Sequence, residues 1–289
     1  MPEGHTIHRH ARHQRTLLRG RTVRAWSPQG RFAEGAARLD GGSVVAIEAW
    51  GKHLLYHWGD GAGQPDGQVL HIHLGLFGRF HTFADDPPPP TAGTRLALQT
   101  TVDPDGDGPD ARDQTTIYLA GATTVQLITP EDIPSLQARL GPDPLRRDAD
   151  PERFAAALVR RRLPVGEALL DQTVIAGIGN VYRAEMLFRA GIDPEIPANA
   201  IGRDATTRLW EDAVHLLRQG ERSGRIVTVE PADVGRNRRS DLRGDEQRDV
   251  YKREGRPCHR CGTTIVMWVP RSRLIWACPS CQGLPPGTR

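Results

Sequence analysis

All four cysteines of this 289-residue chain lie within its last 32 residues. They form two pairs, Cys258-x2-Cys261 and Cys278-x2-Cys281, with 16 residues between the pairs. A two-residue gap lets two thiolates on one tight turn bind the same tetrahedral ion, and a 16-residue gap fits a β-hairpin that returns the second pair. The spacing therefore predicts a hairpin that holds one structural Zn²⁺ through four cysteines. Two disulfides or four buried thiols are the alternatives.

Length and composition limit the class of protein. A chain of 289 residues suits two or three domains, and 38% hydrophobic residues can build a core. No apolar run approaches the ~18 residues of a membrane span, and the first residues are polar, unlike a signal peptide. We therefore expect no membrane partner and a reducing, cytoplasmic setting, which agrees with metal-bound thiolates.

Basic residues are concentrated near both ends. Residues 1–30 carry six arginines and four histidines against one acidic residue, Glu3. Residues 236–256 carry eight lysines or arginines against five acidic residues. The net charge of +3 is weak evidence for a nucleic-acid partner by itself. The two basic stretches would contact a polyanion if the fold brings them together, and a solvated charged surface is the alternative.

The first half of the chain has the pattern of a β-rich domain. Residues 4–18 predict an amphipathic helix with Ile7, Ala11 and Leu18 on one face. Beyond it, glycine, proline and aspartate clusters separate candidate strands at 43–49, 53–58, 69–74, 94–102 and 115–127. This pattern predicts an antiparallel sandwich or barrel.

An irregular segment interrupts the predicted strands. The run DPDGDG at 103–108 imitates a calcium-binding loop, but Gln114 stands where such a loop needs a bidentate glutamate. We therefore predict a solvent-facing loop here, with a calcium site as the alternative.

Helices are predicted after a Pro- and Asp-rich connector at 129–150. They cover about 151–161, 165–175, 180–190 and 203–219, and a basic, loop-like segment at 222–256 leads to the cysteines. The sequence Ala176-Gly-Ile-Gly-Asn180 separates two of the helices. Its glycines permit a tight turn whose amides can face a phosphate, and a plain turn between helices is the alternative.

The N-terminus carries a candidate nucleophile. Met1 is readily removed before a small residue, and its loss would leave Pro2 with a secondary amine at the chain end. An α-amino group titrates near about 7.7–8.0, against about 10.4 for lysine, so more of it is free amine at neutral pH. A free amine can attack a carbonyl-level carbon, and Glu3 can supply or accept a proton.

Six sequence blocks in register resemble the formamidopyrimidine-DNA glycosylase/endonuclease VIII family over almost the whole chain. The glycine-asparagine turn and the cysteine hairpin are the most specific of them. The blocks are MPEG at residues 1–4, GKHLLYHW at 51–58, HIHLGLFGRF at 71–80, ARLGPDPL at 138–145, LLDQTVIAGIGNVYRAEMLFRAGIDPE at 169–195, and PCHRCGTTI with RLIWACPSCQ at 257–282.

The resemblance implies an α+β multidomain protein. It implies a β-sandwich catalytic domain with flanking helices at 1–130, a linker at 131–150 and a helix-two-turn-helix DNA-binding domain at 151–235. A basic segment and four-cysteine zinc finger follow at 236–289. The implied protein is a monomer that acts on damaged DNA in the cytoplasm, at the nucleoid. Its activity would be that of a bifunctional DNA glycosylase and AP lyase.

The resemblance also implies roles for individual residues. Pro2 matches the nucleophile that attacks the sugar C1′ and forms a Schiff base, and Glu3 matches the general acid. Lys52 matches a lysine assigned to phosphate contact and β-elimination. The others match DNA-contacting residues: Asn180 and Arg139 as DNA binders, Arg273 on the hairpin as a phosphate contact linked to δ-elimination, and Leu76 with Phe77 as an apolar wedge that fills the gap left by the everted nucleotide. For the last pair, a core contact at a strand end is the alternative.

The branch is indicated by MPEGH, which resembles endonuclease VIII rather than the MPELPEVE start of the formamidopyrimidine branch. Excision of oxidised pyrimidines is therefore expected, with oxidised purines as the alternative. Two departures bear on lesion choice, because Thr6 replaces a usual glutamate and Gly75 replaces a longer polar residue. A non-catalytic zinc protein that binds damaged DNA is the competing class, and retention of Pro2, Glu3 and Lys52 argues against it.

Overall fold

The computed structural model describes residues 2–101, 114–271, 273–285 and Gly287. The chain divides into two units, one that ends at Ala138 and one that begins at Arg139. The acidic run at 103–108, and with it the choice between a calcium site and a solvent-facing loop, lies outside the described residues. Among the residues that are described, no helix has both the length and the apolar character to cross a bilayer.

The first unit is a sandwich of two four-stranded antiparallel sheets. Its helices are α1 (Gly4–Leu18), α2 (Ala33–Leu39) and α3 (Asp132–Ala138). Its strands are β1 (Val23–Trp26), β2 (Ser43–Trp50), β3 (His53–Gly59), β4 (Pro65–His73), β5 (Arg79–Ala84), β6 (Thr94–Thr100), β7 (Thr115–Ala120) and β8 (Thr124–Ile128). The sheets have the orders β1-β6-β7-β5 and β2-β3-β4-β8. The expected sandwich with a flanking N-terminal helix is confirmed.

Alternation along the strands builds the core of the sandwich. On β3, Leu54, Tyr56 and Trp58 join the main core, which also contains side chains of both sheets and of α1. Leu55 points to the opposite face, where it packs with α3 through Leu136. Because side chains alternate with period two, one strand can serve both faces of its sheet.

Several elements differ from the sequence-based expectation. Strands β1 and β5 and helix α2 were not predicted, and the segment 115–127 forms two strands around a turn in which Gly121 has φ +68°. The expected connector contains α3, whose Ile133 is buried against the sheet. Short elements such as these are fixed by what they pack against, and their own sequence patterns are too brief to show it.

The second unit combines helices with a small hairpin. Its elements are α4 (Pro151–Val159), α5 (Val165–Ala168), α6 (Asn180–Ala190), α7 (Arg203–Ser223), β9 (Val266–Trp268) and β10 (Ile275–Ala277). The Asp150 side chain accepts a hydrogen bond from the Glu152 amide and caps α4, and Gly191 with φ +67° ends α6.

Helix α6 lies between two apolar clusters. Tyr182 and Met186 pack into the helical core, whereas Val181 and Phe188 pack against Trp276 of the hairpin. The predicted helix at 165–175 is helical only as far as Ala168. Beyond it, the Asp171 carboxylate accepts the Thr173 amide at 2.9 Å, a local turn that competes with helix formation.

We predict that the sandwich core limits the stability of the first unit. Leu70 is fully buried between the sheets, whereas Leu76 is 50% exposed six residues later. Leu70→Ala should lower the free energy of unfolding by about 2–5 kcal/mol, because it removes buried methyl groups and leaves a cavity. Leu76→Ala is the matched control and should change it little. Chemical denaturation measures both, and equal losses would contradict this assignment of the core.

Candidate functional site

The start of α1 holds the two N-terminal candidates. Pro2 is half-buried and Glu3 is fully buried. The Glu3 carbonyl oxygen accepts the Thr6 amide at 2.9 Å and thereby begins the helix, while its side chain makes no capping hydrogen bond. The residue that follows Pro2 in the chain therefore carries a buried carboxyl group.

A buried histidine follows these residues. Burial, followed by nearby positive charges that include the N-terminus, lowers the pKa of His5 to about 4. Its imidazole is therefore neutral at physiological pH and adds no positive charge beside Pro2. The ring Nε2 lies 3.1 Å from the Thr6 hydroxyl, so Thr6 contacts this histidine.

Lys52 occupies the turn between β2 and β3, which Gly51 makes possible with φ +56°. A group of histidines lies beside this turn. Burial and then the charge of Lys52 lower the pKa of His73 on β4, so Lys52 and His73 are electrostatic neighbours. The ring centroids of His53 and His73 are 5.1 Å apart. Sequence reasoning missed this cluster, although His71 and His73 alternate along β4 and must share one face.

The histidines form a hydrogen-bonded chain across the sheet. Nδ1 of His53 lies 2.9 Å from Nε2 of His71, and Nδ1 of His71 lies 3.2 Å from Nε2 of Gln126. An amide nitrogen donates, so His71 Nδ1 accepts and its Nε2–H donates to His53. With this orientation of the Gln126 amide, the contacts link the three side chains in one series across the sheet.

The loop between β4 and β5 presents the two apolar candidates. Leu76 is 50% exposed and Phe77 is 80% exposed, which excludes the alternative of a core contact. The Gly78 amide donates to the Leu74 carbonyl at 2.9 Å and closes the loop beneath them. Gly75 has φ +66°, and a Cβ there would lie 1.7 Å from the Thr123 hydroxyl oxygen. In this chain, a side chain at position 75 would therefore require Thr123 to move.

The glycine turn before α6 is braced by Gln172. Its side-chain oxygen accepts the Gly177 amide at 3.0 Å, and its side-chain nitrogen donates to the carbonyl groups of Leu170 and Ile178, each at 3.0 Å. Gly177 adopts φ +90°, which few other residues tolerate. Sequence reasoning identified the glycines and missed this glutamine.

Asn180 begins α6 and connects it to the hairpin. Its side-chain nitrogen donates to the Leu274 carbonyl at 3.1 Å. Arg183, one turn further along the helix, is fully buried and donates to the same carbonyl at 2.6 Å. Arg273 immediately precedes Leu274 in the chain, and its side chain is exposed. The second unit thus brings Asn180 and the backbone beside Arg273 together. Arg139 is exposed at the beginning of this unit and lies apart from these contacts in sequence.

The four cysteines converge as the sequence predicts. Their sulfur atoms all lie within 4.8 Å of one another, with Sγ–Sγ distances of 3.4 Å for Cys261 to Cys278 and 3.8 Å for Cys258 to Cys281. A disulfide would need about 2.05 Å, so disulfides between these pairs are excluded. Four ligands at about 2.3 Å from a tetrahedral ion would be about 3.8 Å apart. The geometry is that of a four-thiolate metal site.

A buried carboxylate connects residues 249–251, the leading segment that precedes the hairpin, to α6. Glu185 is fully buried and accepts the backbone amides of Asp249, Val250 and Tyr251 at 2.8, 3.0 and 2.8 Å, as well as the Thr228 hydroxyl. Three amides and a hydroxyl satisfy the charge in place of water. The sequence signal was a polar pair, Arg183 and Glu185, within the largely apolar stretch 181–188.

Two family models match the chain. The formamidopyrimidine-DNA glycosylase N-terminal domain matches residues 1–117, and the formamidopyrimidine-DNA glycosylase H2TH domain matches residues 140–230. Endonuclease 8 1 of Mycobacterium tuberculosis is 39% identical over 286 residues, which cover 98% of this chain and 100% of that relative. The formamidopyrimidine-DNA glycosylase of Acidothermus cellulolyticus is 34% identical over 295 residues, covering 99% and 97% of the two chains.

Solved structures agree with the family models. The MutM (Fpg) protein from Thermus thermophilus matches with a TM-score of 0.74 at 28% identity, covering 99% of this chain and 100% of that one. MutM in complex with DNA that contains carbocyclic 8-oxo-G matches with a TM-score of 0.75 at 25% identity, covering 97% and 99%. The chain belongs to the formamidopyrimidine-DNA glycosylase/endonuclease VIII family. Members of this family are DNA glycosylases with AP-lyase activity.

We predict that ionisation of Asp249 lowers the stability of the folded protein. Within the part of the chain that the structure describes, neither of its carboxylate oxygens has a hydrogen-bond partner. Burial, followed by the negative charge of Glu185, raises its pKa from 3.8 to about 7. The folded state therefore holds this proton more tightly than the unfolded state, so ionised Asp249 destabilises the fold increasingly as the pH rises from about 4 to about 7.

Asp249→Asn should remove that penalty. The variant should melt at a higher temperature than the wild type at pH 8, and the difference should shrink as the pH falls toward 4. Thermal denaturation across this range measures the effect. Asp148→Asn is the control, because Asp148 is exposed and ion-paired, and it should bring no gain at pH 8. A pH-independent gain for Asp249→Asn would refute the ionisation argument.

Proposed function

We propose that this chain excises oxidised bases, chiefly pyrimidines, from DNA through a Schiff base on Pro2 and then cleaves the strand by β- and δ-elimination. The observation that carries the proposal is the pair at the start of α1, where Pro2 adjoins the buried carboxyl group of Glu3. The pair stands in a chain that matches its catalytic family over nearly its full length.

The chemistry needs the amine that loss of Met1 would expose. The Pro2 nitrogen lone pair forms a bond to C1′ while the N-glycosidic bond breaks and its electron pair leaves with the base, and Glu3 delivers a proton as the base departs and the sugar ring opens. The secondary amine then forms a cationic iminium with C1′. This cation acidifies the C2′ hydrogen, so loss of that proton expels the 3′-phosphate in β-elimination, and a second elimination releases the 5′-phosphate.

Lys52 is proposed to contact phosphate and to assist β-elimination. It lies in a defined turn beside His73, whose pKa is lowered. A neutral histidine does not compete with the lysine for the phosphate, and the local positive charge is then that of Lys52. Its retention among 36 arginines agrees with a position where a compact cation that can lose its proton is needed.

The remaining proposed DNA contacts are divided over the two units. Leu76 and Phe77 supply an exposed apolar wedge on a glycine-closed loop, as insertion between bases requires. Asn180, Arg273 and the exposed Arg139 would contact phosphate oxygens and position the strand without reading its sequence. Such contacts suit a repair enzyme whose lesions occur in any sequence.

The proposed lesion class is supported by a difference in sequence identity between two curated relatives. The 39% identity to Endonuclease 8 1 exceeds the 34% identity to a formamidopyrimidine-DNA glycosylase of similar coverage. Oxidised purines are the alternative, and the structural similarity to MutM bound to DNA with carbocyclic 8-oxo-G favours testing them. A panel of single-lesion duplexes separates the two classes.

Zinc is the proposed occupant of the four-cysteine site. Four thiolates at tetrahedral spacing are a ligand set typical of structural zinc, because Zn²⁺ accepts four sulfur ligands and leaves no open position. The ion would hold the hairpin that carries Arg273. Reduced thiols and a DNA substrate together favour action in the cytoplasm, at the nucleoid, and we propose that the monomer is the active form.

We predict that borohydride traps a covalent adduct between this protein and DNA that contains an abasic site. Mass spectrometry should place the adduct on the peptide that begins with Pro2. An N-terminal extension should abolish trapping while abasic DNA is still bound, because it removes the free amine. An adduct on Lys52 would overturn the assignment.

We expect Glu3→Gln to separate base excision from strand cleavage at an abasic site. Base excision should fall by about a hundredfold or more, because general acid catalysis typically contributes this much. Cleavage at a preformed abasic site should fall far less. Equal losses of both activities would show that Glu3 acts in a step common to both.

We predict that removing one cysteine unfolds the hairpin alone. Structural zinc sites are worth about 10–16 kcal/mol, so Cys261→Ser should release the metal, expose the hairpin to protease and abolish tight DNA binding, while the β-sandwich stays intact. Ser280→Ala, within the second cysteine pair, should leave metal content and binding unchanged. Wild-type protein without zinc on metal analysis, or a Cys261→Ser variant with full DNA affinity, would contradict the proposed site.

A further inference from the structure

Arg183 places a fully buried guanidinium group beneath Asn180. Its Nη2 donates to the side-chain oxygen of Asn180 and, at 2.6 Å, to the Leu274 carbonyl oxygen. Its Nη1 donates to the Gly166 carbonyl at 3.4 Å and lies 3.8 Å from a carboxylate oxygen of Glu167. A buried charge is expensive unless it is paired and hydrogen-bonded, so these partners hold the group in one place.

The guanidinium group determines which way the Asn180 amide faces. An asparagine side chain has an oxygen that accepts and a nitrogen with two hydrogens that donate, whereas arginine only donates. The atom that faces Arg183 must therefore be the oxygen. The nitrogen then faces away, and one of its hydrogens is used by the Leu274 carbonyl at 3.1 Å. The other hydrogen is the donor that a phosphate oxygen needs.

The same group also fixes the backbone beside Arg273. The Leu274 carbonyl accepts from both Arg183 and Asn180, so the start of the hairpin's second strand is fastened to α6 at that point. Arg273 extends from the adjoining residue. One buried side chain thus contacts, directly or through the neighbouring Leu274 carbonyl, two of the three proposed phosphate-binding residues of this unit, Asn180 and Arg273.

We propose that Arg183 is a positioning residue for DNA-phosphate binding, which it controls by fixing the donor face of Asn180 and the backbone of Arg273. The inference rests on the proposed phosphate role of these two residues. Arg183 itself is fully buried and acts through them. Lysine cannot replace it, because a single ammonium cannot serve Asn180, Leu274 and Gly166 with the planar fork that arginine provides.

A double-mutant cycle tests the proposal. Arg183→Met, Asn180→Ala and the double variant are titrated with an undamaged duplex and with a duplex that contains a tetrahydrofuran abasic analogue, at several salt concentrations. Each single change should weaken binding to both duplexes by about tenfold, as loss of a charge-assisted hydrogen bond predicts. The double variant should bind no more weakly than Arg183→Met, because that change already removes the phosphate contact of Asn180.

Arg189→Met is the matched control on the same helix. Arg189 is also largely buried, pairs with Asp212 at 2.8 Å and donates to the Thr228 carbonyl at 2.9 Å, six residues beyond Arg183. Its loss should lower the melting temperature while DNA affinity stays at the wild-type level below that temperature. If Arg183 were only structural, Arg183→Met would behave as Arg189→Met does.

Arg183→Lys covers the case in which the methionine variant does not fold. It keeps the buried charge, so metal content and folding should be retained while DNA affinity falls without further loss on adding Asn180→Ala. If the losses of affinity from the two changes multiply, or if a folded Arg183 variant binds DNA with wild-type affinity, the positioning role of Arg183 is refuted. The proposed phosphate role of Asn180 would then be unaffected. Unchanged affinity in Asn180→Ala would instead refute the phosphate role of Asn180, and this inference with it.

Discussion

Burial of charge on α6 is the constraint on which the second unit depends. The helix has apolar clusters on two sides, yet it carries Arg183 and Glu185 at positions that water does not reach. Each charge must therefore be satisfied by the protein itself. Arg183 is satisfied chiefly by carbonyl oxygens and Glu185 by amides and a hydroxyl, so together they fasten the hairpin and its leading segment to one helix. The proposed phosphate contacts extend from this fastened framework.

In the first unit, the reactive and apolar candidate residues lie outside the core of the sandwich. The candidates lie where strands or helices begin: Pro2 before α1, Lys52 in a two-residue turn and Phe77 on a loop closed by glycines. Buried alternating side chains behind these points keep the loops in place. Phe77 can therefore remain 80% exposed without a cost to the core.

The sequence predicted local structure correctly where a short pattern is compatible with only one arrangement of its side chains. The cysteine spacing predicted a convergent four-sulfur site, and the structure confirms that convergence. Ile7, Ala11 and Leu18 predicted the buried face of α1. Patterns without such uniqueness failed, because β1 has only four residues and α3 lies within a proline-containing segment. Packing decides the conformation of segments this short, and packing is not written in their own residues.

The sequence by itself determined the family, the sandwich, the helix of the N-terminus and the convergence of the cysteines, because motif spacing and side-chain period act over a few residues. Only the tertiary structure decided which polar groups face one another. The Leu274 carbonyl meets Arg183 from 91 residues away, and Glu185 reaches the Asp249 amide across 64 residues. Folding removes water from both groups of each pair, so each needs a hydrogen-bond partner within the protein. The local sequence does not show which distant residue that partner will be.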